Sequence, residues 1–269
     1  MQRYHITGFS LVELSIVLVI LGLLTGGILA GQSLIRGAEL RSIHADFSKY
    51  TSAVHAFRDK YRAWPGDMSN ATAFWGAVNT GGAGGNCTDP AANTGTGTQT
   101  CNGNGNGFLS STGSGSDSAT TYERFRFWQH LANAGLAEGT YTGVSPTGGT
   151  TSVVLPGTNA PLSRLANTGF MAGYSVVGAS TSTDSIVLMA GHHFTLGKTR
   201  VNSTATDPFL TPEEAWNVDV KTDDGLPAQG RMIAKFWGTC TLATSATDTS
   251  AAYDLTKKTQ ECSLKYYSL

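Results

Sequence analysis

Residues 8–24, GFSLVELSIVLVILGLL, open an apolar run that continues to Ala30 and contains a single charged side chain, Glu13. A helix of about 20 apolar residues, rising about 1.5 Å per residue, crosses the hydrocarbon core of a bilayer. The run from Phe9 to Ala30 has this length. The sequence therefore predicts a membrane-spanning helix over residues 9–30.

A short hydrophilic segment, MQRYHITG, precedes the apolar run. An ordinary secretory signal carries its small-residue cleavage site after the apolar stretch. No such site follows this run, and the natural processing point lies before it, at Gly8. We therefore interpret residues 1–8 as a leader peptide and expect the apolar helix to stay with the mature chain.

The one acid of this helix needs a partner. A carboxylate in a bilayer costs about 2.5–3.5 kcal/mol on insertion scales, so an acid inside a membrane span is a candidate functional residue. Cleavage after Gly8 would leave a new α-amino group on Phe9, one helical turn before Glu13. Glu13 is predicted to pair with that amine, within one chain or between neighbours in an assembly.

The motif G-F-S-L-V-E-L, followed by an unbroken apolar helix, resembles the class III signal of type IV prepilins and type II secretion pseudopilins. The resemblance implies that Gly8 precedes the bond cut by prepilin peptidase, that Phe9 becomes the N-methylated first residue, and that Glu13 sets subunit register. The resemblance is close in sequence over residues 8–30 and general over the helix that follows. Over the rest of the chain it concerns the architecture only.

The resemblance implies a structural subunit of a type IV pilus or pseudopilus. Before assembly it would be a single-pass protein of the bacterial inner membrane, and afterwards part of a periplasmic pseudopilus or an extracellular pilus. The implied partners are prepilin peptidase, an inner-membrane assembly platform, and pilins in a homopolymer or mixed filament. Pilus, secretion and DNA-uptake systems all stay open, as do major and minor roles. The alternative is a scarce minor pilin that acts as a tip adhesin or binding module.

The composition and motifs of the chain argue against a nucleic-acid-binding protein and against an enzyme. Lys and Arg number 18 and Asp and Glu 19, a net charge of −1, so no basic field attracts nucleic acid. Only 14% of residues are charged, and small polar residues dominate residues 79–121 and 138–160, as is usual in exported surface proteins. The adjacent His192 and His193 would point to opposite faces of a strand, and no H-E-x-x-H or G-x-S-x-G motif occurs, so no enzyme is predicted.

The four cysteines, Cys87, Cys101, Cys240 and Cys262, lack C-x-x-C spacing and favour disulfides in an oxidising compartment. Four cysteines allow three pairings. We favour the local pairs Cys87–Cys101 and Cys240–Cys262, because each closes a short loop in a region poor in core-forming residues. The region between Cys240 and Cys262 also resembles the C-terminal disulfide-bounded region of type IV pilins.

Beyond residue 40, apolar and aromatic residues recur at steps of three and four, which predicts an amphipathic helix. The stripe consists of Ile43, Phe47, Tyr50, Val54, Phe57 and Tyr61, and the opposite face carries Arg41, Asp46, Lys49, Arg58, Asp59 and Arg62. Trp64-Pro65-Gly66 is expected to end the helix near Arg62. Residues 31–64 are therefore assigned to a helical stalk and residues 65–269 to a globular head.

In the head we predict a short helix within residues 66–76, capped near Asp67 or Ser69, and an amphipathic helix over Tyr122–Leu136 with His130 exposed on its side. The predicted strands are Thr151–Leu155, Gly173–Val177, Ser185–Ala190, Trp216–Lys221 and Arg231–Trp237, forming an antiparallel sheet of four or five strands. The expected fold class is α+β: a long N-terminal helix, transmembrane and then amphipathic, packed on a C-terminal antiparallel β-sheet head, as in type IV pilins.

Two stretches are candidates for a metal. Asp219, Asp223 and Asp224 surround the turn sequence TDDGLPAQG and suit a structural calcium ion, a hard cation that prefers carboxylate and carbonyl oxygens. Major pseudopilins carry calcium in a C-terminal loop, but the residues here do not match their pattern. In CNGNGNGF, asparagine stands where calcium loops carry aspartate, so a disulfide-closed surface loop within residues 79–121 is predicted instead. No other cofactor is expected.

Overall fold

The structure is a computed structural model that describes residues 10–78, 97–109, 123–144, 153–175, 190–199 and 205–267. Its elements are α1 Leu11–Tyr61, α2 Ala71–Trp75, α3 Glu123–Asn133, β1 Thr168–Ser175, β2 Gly191–Lys198, α4 Pro212–Thr222, β3 Met232–Lys235, α5 Trp237–Cys240 and β4 Ser263–Tyr266. The chain divides into two compact units, one up to Arg41 and one from Ser42 onward. A long N-terminal apolar helix and a small antiparallel sheet give the expected α+β layout.

The first unit contains the apolar part of α1. Its large side chains are exposed: Leu11 is 85% and Leu23 73% accessible. The helix is long and apolar enough to cross a membrane. The predicted membrane-spanning segment therefore forms a helix from Leu11, and the predicted first residue of that span, Phe9, lies outside the described residues.

From Ser42 onward α1 belongs to the second unit, where it buries the predicted stripe. The buried members are Ile43, Phe47, Tyr50, Val54 and Phe57, and Tyr61 is half-buried. The helix ends at Tyr61, and Arg62 follows with a left-handed φ of 54°. The stop predicted from Trp64-Pro65-Gly66 is thus confirmed within a residue.

The sheet has four strands in the order β1-β2-β4-β3, and every neighbouring pair is antiparallel. Its face toward α1 and α3 is aromatic: Phe170 of β1 meets Phe47 of α1 at 5.5 Å between ring centroids, and Phe194 of β2 stacks on Trp128 of α3 at 5.4 Å. Each large ring packed between the sheet and the two helices buries a large apolar area. The core of the second unit therefore lies on this face.

Two of the predicted strands are present. Arg231–Trp237 contains β3, and Gly173–Val177 overlaps the end of β1 as far as Ser175. Residues 185–189, within a third prediction, lie outside the described residues, and residues 153–155 of a fourth are not in a strand.

The strand predicted over Trp216–Lys221 is wrong, because these residues belong to helix α4. A capping box fixes the helix start: the Thr211 hydroxyl accepts from the Glu214 backbone N–H at 3.2 Å, and the Glu214 carboxylate accepts from the Thr211 N–H at 2.9 Å. Pro212 follows the cap, where its missing N–H costs nothing. These start signals outweigh the local alternation of apolar and polar residues that suggested a strand.

Strands β2 and β4 were not predicted. Strand β2 has the sequence GHHFTLGK, and its two histidines and two glycines are not residues that predict a strand. Gly197 is required by a close backbone approach, because an added Cβ would lie 2.6 Å from the Thr206 Cα. β4 has only four residues, and it pairs with both β2 and β3, so its position depends on long-range partners.

His130 is fully buried, and the expectation that it is exposed is wrong. Helix α3 is buried on all sides from Glu123 to Leu131, not on one face only. The His130 Nδ1 accepts from the Gly66 N–H at 2.9 Å, and its Nε2 lies 3.0 Å from the Thr100 hydroxyl. Burial lowers the pKa of His130 to about 3, so the ring is neutral at physiological pH.

The predicted caps of α2 are also wrong. Asn70 is its N-cap and makes no side-chain capping hydrogen bond. Asp67 instead accepts from the backbone N–H groups of Asn106 and Gly107, at 3.1 and 2.8 Å. The carboxylate is used to hold a distant loop, which is why a cap assigned from local sequence failed.

The disulfide Cys240–Cys262 is confirmed, with 5.0 Å between the Cα atoms and both residues fully buried. It links α5 to the residue before β4. Cys101 is also disulfide-bonded, while Cys87, its predicted partner, lies outside the described residues.

Candidate functional site

Glu13 lies in the first turn of α1 and caps the start of that helix. Its Oε2 accepts from the Ser10 backbone N–H at 2.8 Å, and the Ser10 hydroxyl accepts from the Val12 N–H at 3.3 Å. The sequence S-L-V-E is the start pattern in which a serine and a glutamate three residues later satisfy free N–H groups. Sequence reasoning treated Glu13 only as a charge and missed this capping role. Gly8 and Phe9 lie outside the described residues.

Beyond Ser15 the next turns of this helix have no polar face. Ile16–Leu21 are six consecutive apolar residues, each at least 50% exposed. Six residues at 100° each cover more than one full turn, so apolar side chains point in every direction. A helix that is apolar all round is stable only where apolar surroundings cover it, in a protein core or in lipid.

The three predicted calcium ligands are brought together. One oxygen of each of Asp219, Asp223 and Asp224 lies within 4.8 Å of the others. Asp219 is on the last turns of α4 and fully buried, and the other two residues follow the helix end. The three carboxylates of the predicted calcium site are therefore clustered at one place, and calcium binding there stays a prediction.

Protein donors already occupy much of this cluster. Asp219 accepts from the Tyr253 hydroxyl at 2.8 Å and from the Gly225 N–H at 3.3 Å. Asp223 Oδ2 accepts from the N–H groups of Arg231 and Met232. Calcium takes six to eight oxygens, so an ion would depend chiefly on the remaining oxygens of Asp223 and Asp224, on carbonyl groups and on water.

The surroundings of Asp219 also change its pKa. Burial raises its pKa to about 7, the hydrogen bonds from Tyr253 and Gly225 oppose this, and the charges of Asp224 and Asp223 add to it. Burial, with the charge of Asp219, also raises the pKa of the Tyr253 hydroxyl well above its usual range. Asp219 therefore holds a proton more readily than a surface carboxylate does.

The asparagine–glycine stretch is anchored on residues 67 and 68. Gly103 donates to the Met68 carbonyl, Gly105 to the Asp67 carbonyl, and Gly107 to the Asp67 carboxylate, all at 2.8–2.9 Å. An added Cβ on Gly103 would overlap the backbone of Asp67. The alternating glycines thus allow a close approach of two backbones, a role that their spacing in the sequence did not reveal.

The two adjacent histidines contact different groups, as expected for neighbours in a strand. The His192 ring stacks on Trp64 at 3.8 Å between centroids, whereas the His193 ring lies 5.1 Å from Tyr267. They do not converge on a shared metal position.

Comparison of the chain with protein-family models, with curated proteins and with solved structures finds no match.

Proposed function

We propose that this protein is a structural subunit of a type IV pilus or pseudopilus. It is exported, cut after Gly8 by prepilin peptidase, N-methylated on Phe9 and polymerised through its N-terminal helix. The observation that carries the proposal is the motif G-F-S-L-V-E-L at the start of a helix whose next turns are apolar on every side. A helix of this kind is stable where lipid or other apolar surfaces cover it.

The exposed apolar helix accounts for both states of the subunit. Before assembly, lipid surrounds residues 9–30 as a single span of the inner membrane. During assembly, each helix exchanges lipid for the equivalent helices of other subunits, and packing replaces the lipid contacts. The same surface thus anchors the precursor and forms the filament core.

Glu13 fixes the stagger between subunits. Within the described residues, which begin at Ser10, its carboxylate accepts from the Ser10 N–H. Cleavage supplies a positive amine on Phe9 of the same or a neighbouring chain. An unpaired carboxylate in an apolar core is costly, so the register that pairs it is preferred.

The second unit fits an exported head. Its disulfide Cys240–Cys262 is buried, as suits a domain that folds in an oxidising compartment. We propose that this head forms the outer surface of the filament and that partners are other pilins and an inner-membrane assembly platform. No catalytic role is proposed for it.

Processing is the direct test. The full-length chain is expressed with and without a prepilin peptidase, and its intact mass and N-terminal sequence are measured. We expect a mature chain that begins at methylated Phe9 only when the peptidase is present, and an unprocessed chain for Gly8→Val. A chain that begins at Met1 under both conditions would make a membrane-anchored binding protein the better account.

A further inference from the structure

An open cavity of about 340 Å³ lies at the end of helix α1, within the second unit. Its lining residues are His55, Arg58, Asp59, Arg62, Ala63 and Trp64. Four of the six carry ionisable groups, and all four are exposed to solvent. The cavity is therefore a polar surface site with no part in the long apolar helix described above.

A stack of three side chains builds one wall of this cavity. The Arg58 guanidinium lies 3.9 Å from the Trp64 ring centroid. The His192 ring stacks on Trp64 from the other side, with 3.8 Å between ring centroids and 23° between the ring planes. His192 comes from strand β2, so the sheet holds the stack from behind. A guanidinium that stacks through its face keeps its N–H donors free in its own plane.

The charged side chains of the cavity have not used their hydrogen-bonding capacity inside the protein. Within the residues that the structure describes, neither Arg58 nor Arg62 makes an ion pair or a hydrogen bond through its side chain, and neither does Asp59. Basic residues at a helix C-terminus also interact favourably with the helix dipole. Arg58 and Lys60 both lie in the last turn of α1 and can make this interaction, whereas Arg62 lies beyond the last helical residue.

The charged groups that line the cavity indicate what kind of ligand it would bind. Burial and the neighbouring Arg58 lower the pKa of His192 to about 4, so this ring adds no charge at neutral pH. With histidines counted as neutral, Arg58 and Arg62 supply two positive charges and Asp59 one negative charge. The two guanidinium groups suit a planar anion such as a carboxylate, and Asp59 can accept hydrogen bonds from hydroxyl groups of the same ligand.

We propose that this cavity binds a hydroxylated carboxylate of the kind found in acidic sugars such as uronates. The carboxylate accepts hydrogen bonds from Arg58 and Arg62, in the geometry that guanidinium groups favour for planar anions. Sugar hydroxyls donate to Asp59. Both faces of Trp64 are covered by Arg58 and His192, so the ring positions Arg58 and does not itself stack on the sugar.

The test uses the full-length protein in detergent micelles and ligand-observed saturation-transfer NMR. The probes are sodium glucuronate, neutral glucose and inorganic phosphate, each titrated at two salt concentrations. We expect glucuronate to bind more tightly than either comparison compound. Arg62→Gln should weaken glucuronate binding about tenfold or more, because it removes a charged hydrogen-bond donor that has no structural contact.

Lys60→Gln is the matched control, since it removes one positive charge from the same helix end but outside the cavity. We expect it to leave glucuronate binding unchanged. Arg58→Lys is a second variant that keeps the charge, loses the planar fork and should also weaken binding. Thermal midpoints verify that all variants fold.

Three outcomes would overturn the proposal. Glucuronate binding absent at about 10 mM, phosphate binding in preference to glucuronate, or an equal effect of Lys60→Gln and Arg62→Gln would each exclude a carboxylate-specific cavity. The test is independent of pilus assembly, because it measures binding to the unassembled chain.

Discussion

The Tyr253 hydroxyl donates to Asp219 Oδ2 at 2.8 Å, and both side chains are buried. This bond joins helix α4 to the C-terminal disulfide-bounded segment, 34 residues away in sequence. It holds a carboxyl group whose pKa burial raises to about 7. The stability of the second unit should therefore depend on the protonation of Asp219.

The sign of this dependence follows from proton binding. The pKa of an aspartate in an unfolded chain is about 3.9, so between about pH 4 and pH 7 the folded state binds more protons than the unfolded state. Asp219 thus contributes its full stability below about pH 4 and loses it as the pH rises through about 7. The change is at most about 1.4 kcal/mol per pH unit.

Asp219→Asn isolates this effect. His130, whose pKa is lowered to about 3, contributes with the opposite sign, because its stabilising effect is lost as the pH falls below about 6.5. The difference between the two proteins removes that contribution. We expect the variant to gain stability relative to the wild type as the pH rises from 4 to 8. A constant difference in the free energy of unfolding would contradict the raised pKa.

Tryptophan fluorescence suits these measurements. All five tryptophans of the chain lie beyond residue 42, so their signal reports unfolding of the second unit. Urea titrations of the full-length protein in detergent at several pH values supply the free energies. Asp248→Asn, a change at a carboxylate outside the cluster, serves as the control and should follow the wild type across this pH range.

The calcium prediction for Asp219, Asp223 and Asp224 has its own test. We expect millimolar calcium to raise the thermal midpoint of the wild type, since an ion that binds only the folded state stabilises it. Calcium competes with the proton on Asp219, so the increase should be larger at pH 8 than at pH 5. Asp224→Asn should abolish the increase, and magnesium should not reproduce it. An unchanged midpoint in the wild type at pH 8 would remove calcium from this cluster.

Gly103 should not tolerate a side chain. An added Cβ would lie 2.4 Å from backbone atoms of Asp67 and Gly66. We expect Gly103→Ala to destabilise the second unit by about 1–3 kcal/mol, the usual cost of overpacking. Gly238→Ala is the control, because nothing lies within 4 Å of its added Cβ. Equal thermal midpoints for the two variants would show that the contact between residues 67 and 103 can relax.

The parts of the fold that the sequence predicted are those encoded by local periodicity. The stripe from Ile43 to Phe57 repeats at helical spacing, and its members are buried together. The stop at Trp64-Pro65-Gly66 is likewise a local signal. Helix α4 was not predicted, although its start signal, T-P-E-E, is also local, because the residues from Trp216 to Lys221 read as a strand.

The parts that were missed depend on distant partners. His130 is buried because Gly66 and Thr100 surround it, and neither contact follows from the spacing of apolar residues on α3. The three carboxylates at one turn were predicted from local sequence. Tyr253, which donates a hydrogen bond to Asp219, was not, because it lies 34 residues further along the chain. The stack of Arg58 on Trp64 is local, whereas His192 reaches it only through the sheet.

Glu13 is predicted to have two separable roles, a helix cap and a charge that sets subunit register. Glu13→Gln keeps a side-chain oxygen that can accept from the Ser10 N–H but removes the charge. Glu13→Val removes both. We expect both variants to insert into the membrane and to be cut after Gly8, since an apolar or neutral residue costs less in a bilayer than a carboxylate does.

Filament yield then distinguishes the roles. Because register depends on the negative charge, Glu13→Gln should assemble as poorly as Glu13→Val, in a host that carries the prepilin peptidase and the assembly platform. The measurement compares sheared filaments, counted by electron microscopy, with the amount of mature subunit in the membrane fraction. Normal assembly of Glu13→Gln with failure of Glu13→Val would assign Glu13 to helix capping alone. Normal assembly of both would remove Glu13 from the assembly mechanism, because neither the cap nor the charge would then be needed to join one helix to the next.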